Sequence, residues 1–352
     1  MDQINAQEKI LRHVALLEGD GFVYDDKAIL EEYERLLHTQ SNLAIKVLTI
    51  AGGILATLSF LGFWALAGFF NSNLWLVIFG ISFVVLAIGL SKKTNALFFD
   101  TLCISCYSVG LSLLAFGLLE WNVNETIVAL SISSIALCSL LISQKYMLSF
   151  ISVLVVFGSL LLVILSNNAY ALVHLYIALT AAILVFVFLH ESKLISWNKK
   201  LSQLYAPLRI GLVFSLLFGL IAVGKRNLIP VSPYSMCISS VALMAIGFYL
   251  IHRILSVLEI KEKSKQLSIY LLAACILATC VFSPSIIGAI LIILISFFVN
   301  YKTTFAIGIL ALIYFVCQYY YDLDFTLLTK SIIMLASGAL FFILYLFTKK
   351  RS

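Results

Sequence analysis

Three ionisable residues within apolar runs of this chain call for scrutiny as places where side chains could do chemistry: Asp100, His174 and Lys330. Holding a charge in a bilayer is costly, so such a residue marks an ion path, a proton relay or a paired contact. Asp100 stands about one turn into its run from the side rich in lysine, within reach of a cation such as Lys145 or Arg209 or of water. His174, flanked by Tyr170 and Tyr176, stands about one turn into its run from the opposite side and suits a hydrogen-bonded helix contact. Lys330 opens the last apolar run, where its stem can follow the apolar surface while the ammonium reaches the headgroups. Asp322 and Asp324 precede it in the same connection and supply a counter-charge. No continuous line of Asp, Glu, Lys or Arg crosses the middle of the runs, as a proton relay would require.

Other constellations are weaker. Cys103 and Cys106 form a CxxC, but at i, i+3 within an apolar run and with no second pair or nearby histidine, so they are read as packing residues. The remaining five cysteines also lie in apolar segments and behave as small hydrophobes. Ala336-Ser337-Gly338 is similar to the serine surroundings of intramembrane proteases. No histidine lies in the last four apolar runs, and the triplet is read as a small-residue packing patch. The spacings HExxH, GxxxxGK[ST] and GxSxG are missing. No catalytic residue, cofactor site or metal site is therefore expected.

The elements that must position these residues follow from composition. The chain has 352 residues, 62% of them hydrophobic and 11% charged, with a mean hydropathy of +1.08. Soluble domains are nearer half apolar and a quarter charged, so the fold class is an all-α integral membrane bundle. Twelve apolar runs stand near 47–69, 74–91, 96–119, 125–143, 146–165, 169–189, 207–224, 235–254, 266–282, 285–300, 303–319 and 327–347. A span takes about 20 residues, so 285–300 and 303–319 are short for full crossings. The net charge of +6 reflects lysines and arginines beside the runs and implies no nucleic-acid partner. Lys92, Lys93, Lys145, Lys193, Lys199, Lys200, Arg209, Lys261, Lys263, Lys265 and Lys302 follow even-numbered runs. Only Lys225 and Arg226 follow odd-numbered ones. That asymmetry predicts about 12 transmembrane helices with both termini in the cytoplasm.

Residues 1–45 differ from the transmembrane domain, 46–352. They carry nine of the 17 acidic residues, which argues against a cleavable signal peptide. Ile10, Leu11, Val14 and Leu17 repeat at helical spacing, Gly19-Asp20-Gly21 turns the chain, and Ile29, Leu30, Tyr33, Leu36 and Leu37 form a second apolar face. This predicts a small cytosolic helical hairpin that docks on a partner surface. The stretch 191–207 predicts a short interfacial helix, with Leu194, Trp197, Leu201, Leu204 and Tyr205 on one face and lysines on the other. The four prolines are placed at helix ends or in loops.

The closing stretch, with Tyr319-Tyr320, Leu323, Thr326-Leu327-Leu328, Lys330-Ser331 and Gly338, resembles the C-terminal signature of bacterial polytopic membrane proteins grouped as domain of unknown function 4401 (DUF4401). The resemblance implies a bacterial inner-membrane protein and a possible partner, a smaller membrane protein bearing a GDYxxLxY motif. It brings no catalytic residues. The function expected is that of a non-enzymatic membrane component surrounded by lipid and assembled with another membrane protein. The alternative is a transporter or channel for a neutral or amphipathic solute.

Overall fold

The structure, a computed structural model, describes residues 72–93, 97–143, 145–225, 233–258, 262–281 and 283–322, together with Ile229 and scattered positions within 52–68 and 328–342. The hairpin expected over 1–45 and most of the first and last apolar runs lie outside the described residues. Eleven helices stand among those described. They are α1 (Asn73–Lys93), α2 (Leu97–Glu120), α3 (Glu125–Ile142), α4 (Tyr146–Ser166), α5 (Ala171–Leu189), α6 (Glu191–Trp197), α7 (Lys199–Gly224), α8 (Pro233–Val257), α9 (Lys263–Thr279), α10 (Pro284–Phe298) and α11 (Lys302–Asp322). Eight of them, α1 to α5, α7, α8 and α11, are long and apolar enough to cross a membrane.

Three of the tight turns use one device. Asn122, Asn168 and Asn300 adopt φ of 56°, 53° and 61°, a left-handed conformation that asparagine tolerates better than most residues. At each, the next residue's N–H reaches back five positions and the asparagine's own N–H reaches back three. The bonds are Val123 to Leu118 and Asn122 to Leu119, Ala169 to Ile164 and Asn168 to Leu165, Tyr301 to Ser296 and Asn300 to Phe297. This is the Schellman closure, which satisfies carbonyls orphaned at a helix end and reverses the chain. Successive spans consequently alternate in direction. One end of the bundle gathers Lys93, Lys145, Lys199 and Lys302, and the other gathers the turns at Asn122 and Asn168.

Packing relies on missing side chains. Gly80 of α1 and Gly110 of α2 face one another so closely that a Cβ on Gly110 would lie 2.9 Å from the Gly80 carbonyl oxygen. Helix α7 is the axis of the rest, with 61% of its apolar stretch buried. Leu212, Val213, Leu216 and Leu220 of α7 are fully enclosed. Gly211 meets Val153 of α4, Gly219 meets Tyr176 of α5, and Gly288 of α10 receives Leu220. Each approach trades a side chain for backbone contact, the usual way to bring helices together where lipid supplies no hydrophobic drive.

Two segments differ from expectation. The interfacial helix predicted over 191–207 is split: α6 stops at Trp197, and Asn198 caps a new helix by accepting from the Lys200 N–H at 3.2 Å. That helix is α7, which continues through Pro207 and enters the membrane without a break. Proline removes one helical donor, so the Gln203 carbonyl loses its partner. Gln203 is exposed near the basic end, where water can replace the bond. The run expected to be short at 303–319 gains a turn's worth of residues and becomes the 21-residue α11, while α10 stays short at 15.

Candidate functional site

Continuity through Pro207 has a consequence for Arg209. The charge pattern groups Arg209, at the start of the run 207–224, with the basic residues of the preceding connection, whereas the helix carries it into the span Lys200–Gly224. Its guanidinium carbon lies 3.4 Å above the centroid of the Tyr301 ring, with the rings of Tyr205 and Phe188 at 5.5 and 5.9 Å. Aromatic faces present negative charge, so this cage stabilises a cation by about 0.5 to 2 kcal/mol while keeping lipid away from it. Arginine suits the place better than lysine because its planar, weakly hydrated group stacks on rings.

Tyr301 is held by the Asn300 turn, its N–H donating to the Ser296 carbonyl at 2.9 Å. Its hydroxyl donates to the Glu191 carboxylate at the start of α6. Arg209 and Glu191 are thus joined through one tyrosine, the cation on its face and the anion at its edge. Burial pushes the Tyr301 phenol above its ordinary pKa and the bond to Glu191 adds to the rise, while Arg209 opposes it. The phenol is therefore a standing donor at neutral pH. Phe188 closes the group edge-on to Tyr301 at 5.9 Å. One side of the cluster is unfinished, because the Arg209 Nε is buried without a hydrogen-bond partner. The cluster can clamp α5, α6, α7 and the α10–α11 turn together.

Of the residues singled out by sequence, those described, Asp100, His174 and Asp322, stand on three different helices. Asp100, in the first turn of α2, lies 3.5 Å from the Lys145 ammonium that precedes α4. The helix N-terminus also favours the carboxylate there, and an interfacial pair of this kind contributes about 0 to 1 kcal/mol. At the opposite end, the His174 Nδ1 of α5 shares a hydrogen bond with the Ser239 hydroxyl of α8, and the Nε2 is buried without a partner. Asp322 is the last residue of α11 and not part of a loop. Lys330 and Asp324 lie outside the described residues. None of the seven cysteines is joined in a disulfide, Cys103 and Cys106 included. Among the described residues no group of three or more His, Cys, Asp or Glu converges as a metal site would.

Sequence reasoning missed Arg209, Tyr301 and Glu191 as a unit. The signal available was an arginine two residues into an apolar run whose only break was a proline. Nothing local linked it to residues 18 positions earlier and 92 later.

No curated protein and no solved structure matches the chain. A family model described as "Domain of unknown function (DUF4401)" matches residues 42–351, nearly all of the chain, and the protein belongs to that family.

Proposed function

We propose that the chain is a non-catalytic subunit of a bacterial inner-membrane complex, assembled with a second membrane protein and oriented with its basic end in the cytoplasm. The observation that carries this reading is the filled centre of the bundle. Where a solute path at mid-membrane would need polar lining, α7 buries Leu212, Leu216 and Leu220. The hydroxyls nearby turn back to their own helices: Ser215 donates to the Gly211 carbonyl at 2.8 Å and Thr180 to the Tyr176 carbonyl at 2.8 Å. Charges stand at the two ends, as Asp100, Glu191 and Arg209 at one and Asp322 at the other. Such a distribution suits a rigid packed component better than one that alternates access. Helix α11, only 17% buried, leaves Leu310, Ile313, Tyr314 and Tyr321 exposed. This is a surface a partner helix can share with lipid. The basic end faces the cytoplasm by the bias that positive residues impose on insertion.

The test is extraction of the tagged chain from its own membranes in mild detergent. A second membrane protein is expected to co-purify in constant proportion through size exclusion. Solute flux through liposomes holding this chain alone would favour a transporter for a neutral or amphipathic solute, and the subunit reading would then be abandoned.

A further inference from the structure

The short helix α6 is held to the bundle along one face. Leu194 packs against the main core, and three positions earlier the Glu191 carboxylate accepts from the Tyr301 hydroxyl. Residues three apart share a helix face, so Leu194 and Glu191 mark the inner one. Lys193 and Trp197, four apart, share another flank, and both are exposed, Trp197 by 82%. The sequence pattern sets Trp197 beside Leu194 and the lysines opposite. In the structure the tryptophan is turned out and stands with a lysine.

The surroundings extend this flank with one sign of charge. Asn198 restarts the helix at once, so Lys200 and Leu201 follow in the first turn of α7, both exposed. The bond between Glu191 and Tyr301 draws the α10–α11 turn to α6, and Lys302, the residue after Tyr301, is exposed as well. Glu191 is the one acidic residue of α6, and it is engaged by Tyr301 on the inner face. The level of α6 relative to lipid is fixed by the helix before it. Phe186, exposed in the last turn of α5, stacks at 4.4 Å on His190, the residue that precedes α6. The flank that α5 turns to lipid therefore runs straight up to α6. A tryptophan ring suits that boundary, because its apolar body and its N–H both find partners among headgroups.

We propose that α6 and the first turn of α7 are a docking surface for anionic lipid headgroups of the leaflet at the basic end, with Trp197 seated among the headgroups and Lys193, Lys200 and Lys302 facing lipid phosphate. An exposed aromatic ring beside cations, with the only carboxylate of α6 turned inward, complements a negatively charged bilayer surface. Each lysine held near such a surface favours it about fivefold. The surface would serve the chain equally as a subunit or as a transporter.

The experiment uses the full chain with Trp64, Trp75 and Trp121 replaced by phenylalanine, which leaves Trp197 as the one tryptophan. The protein is reconstituted in mixed bilayers of phosphatidylcholine and phosphatidylglycerol, and one lipid or the other carries bromine near its headgroup to quench the indole. Quenching is expected to show phosphatidylglycerol preferred around Trp197 by about fivefold or more. Lys193→Gln combined with Lys200→Gln should remove most of that preference, and raising the salt should shrink it in the parent protein. Equal quenching by the two lipids overturns the proposal. Quenching by neither also overturns it, since Trp197 would then face water or protein. If inorganic phosphate abolishes the preference where sulfate of equal ionic strength does not, the lysines take a free phosphate and the lipid surface is overturned as their partner. Should the tryptophan variant fail to fold, the ratio of the two lipids retained from mixed micelles decides instead. The otherwise unaltered chain is expected to retain more phosphatidylglycerol than its double lysine variant, and equal ratios overturn the proposal.

Discussion

Arg209 rests on Tyr301 with its guanidinium carbon 3.4 Å from the ring centroid, while the hydroxyl of the same tyrosine donates to Glu191. One aromatic side chain thereby couples the central helix to the joint between α5 and α6. Its two roles can be separated by substitution. Tyr301→Phe keeps the ring under Arg209 and removes only the bond to Glu191, leaving that carboxylate at the edge of the bundle where water reaches it. The expected loss is about 1 kcal/mol. Tyr301→Leu removes the ring as well and should lose about 2 kcal/mol more, from both the cation contact and the packing. Unfolding midpoints in detergent rank the two. Equal midpoints would mean that Arg209 gains nothing from the ring.

Opposite outcomes are expected for alanine at two glycines, one in the α1–α2 contact and one on α4. A Cβ on Gly110 would fall 2.9 Å from the Gly80 carbonyl oxygen and 2.9 Å from the Val84 nitrogen, both backbone atoms that cannot step aside. Gly110→Ala should cost about 1 to 3 kcal/mol as the helices are pushed apart. A Cβ on Gly158 of α4 meets nothing within 4 Å. There Gly→Ala should stabilise by about 0.5 to 1 kcal/mol through helix propensity and reduced freedom of the unfolded chain. Protease resistance of the two variants in detergent should move in opposite directions.

The spans were legible because lipid makes a continuous apolar run and an internally bonded helix almost synonymous. The runs at 74–91, 125–143 and 146–165 match α1, α3 and α4 closely. Pro207 was misread because proline usually ends a helix. Here it sits two turns in, near the basic end, where the freed Gln203 carbonyl meets water. Asp322 was read into a connection because the apolar pattern stops at the tyrosines before it, yet α11 is long enough to include it. The contacts of Arg209 with Tyr301 and of Gln318 with the end of α7 join positions 92 and 94 residues apart. No periodicity within a run carries such a pairing, which depends on which helices become neighbours.

Orientation is open to a direct check. Asn124 caps α3 by accepting from the Thr126 N–H at 2.9 Å, and Asn167 closes α4; both are exposed at the end opposite the lysines. In a background freed of native cysteines, Asn124→Cys and Asn167→Cys should react with an impermeant maleimide added to whole cells. Lys200→Cys and Lys302→Cys should react only after the membrane is opened. Loss of the Asn124 cap costs about 1 kcal/mol, too little to disturb insertion. Labelling of Lys302→Cys from outside would reverse the assignment made from the basic residues.

Two adjacent serines on α8 provide a last contrast. Ser239 and Ser240 are both fully buried, but only Ser239 has a partner, the His174 Nδ1. The Ser240 hydroxyl has none. Removing a hydroxyl is costly where it strands a buried polar group and nearly neutral where it relieves one. Ser239→Ala would leave His174 with neither ring nitrogen bonded, since its Nε2 already lacks a partner. That variant should lose about 1 to 3 kcal/mol. Ser240→Ala removes an unmet hydroxyl of similar volume and should leave the midpoint unchanged or slightly higher. His174→Leu in combination with Ser239→Ala then tests the account. With both polar partners gone, the double variant should recover part of the loss that Ser239→Ala suffers alone. A double variant less stable than Ser239→Ala would show that His174 serves α5 and α8 through some contact other than this bond.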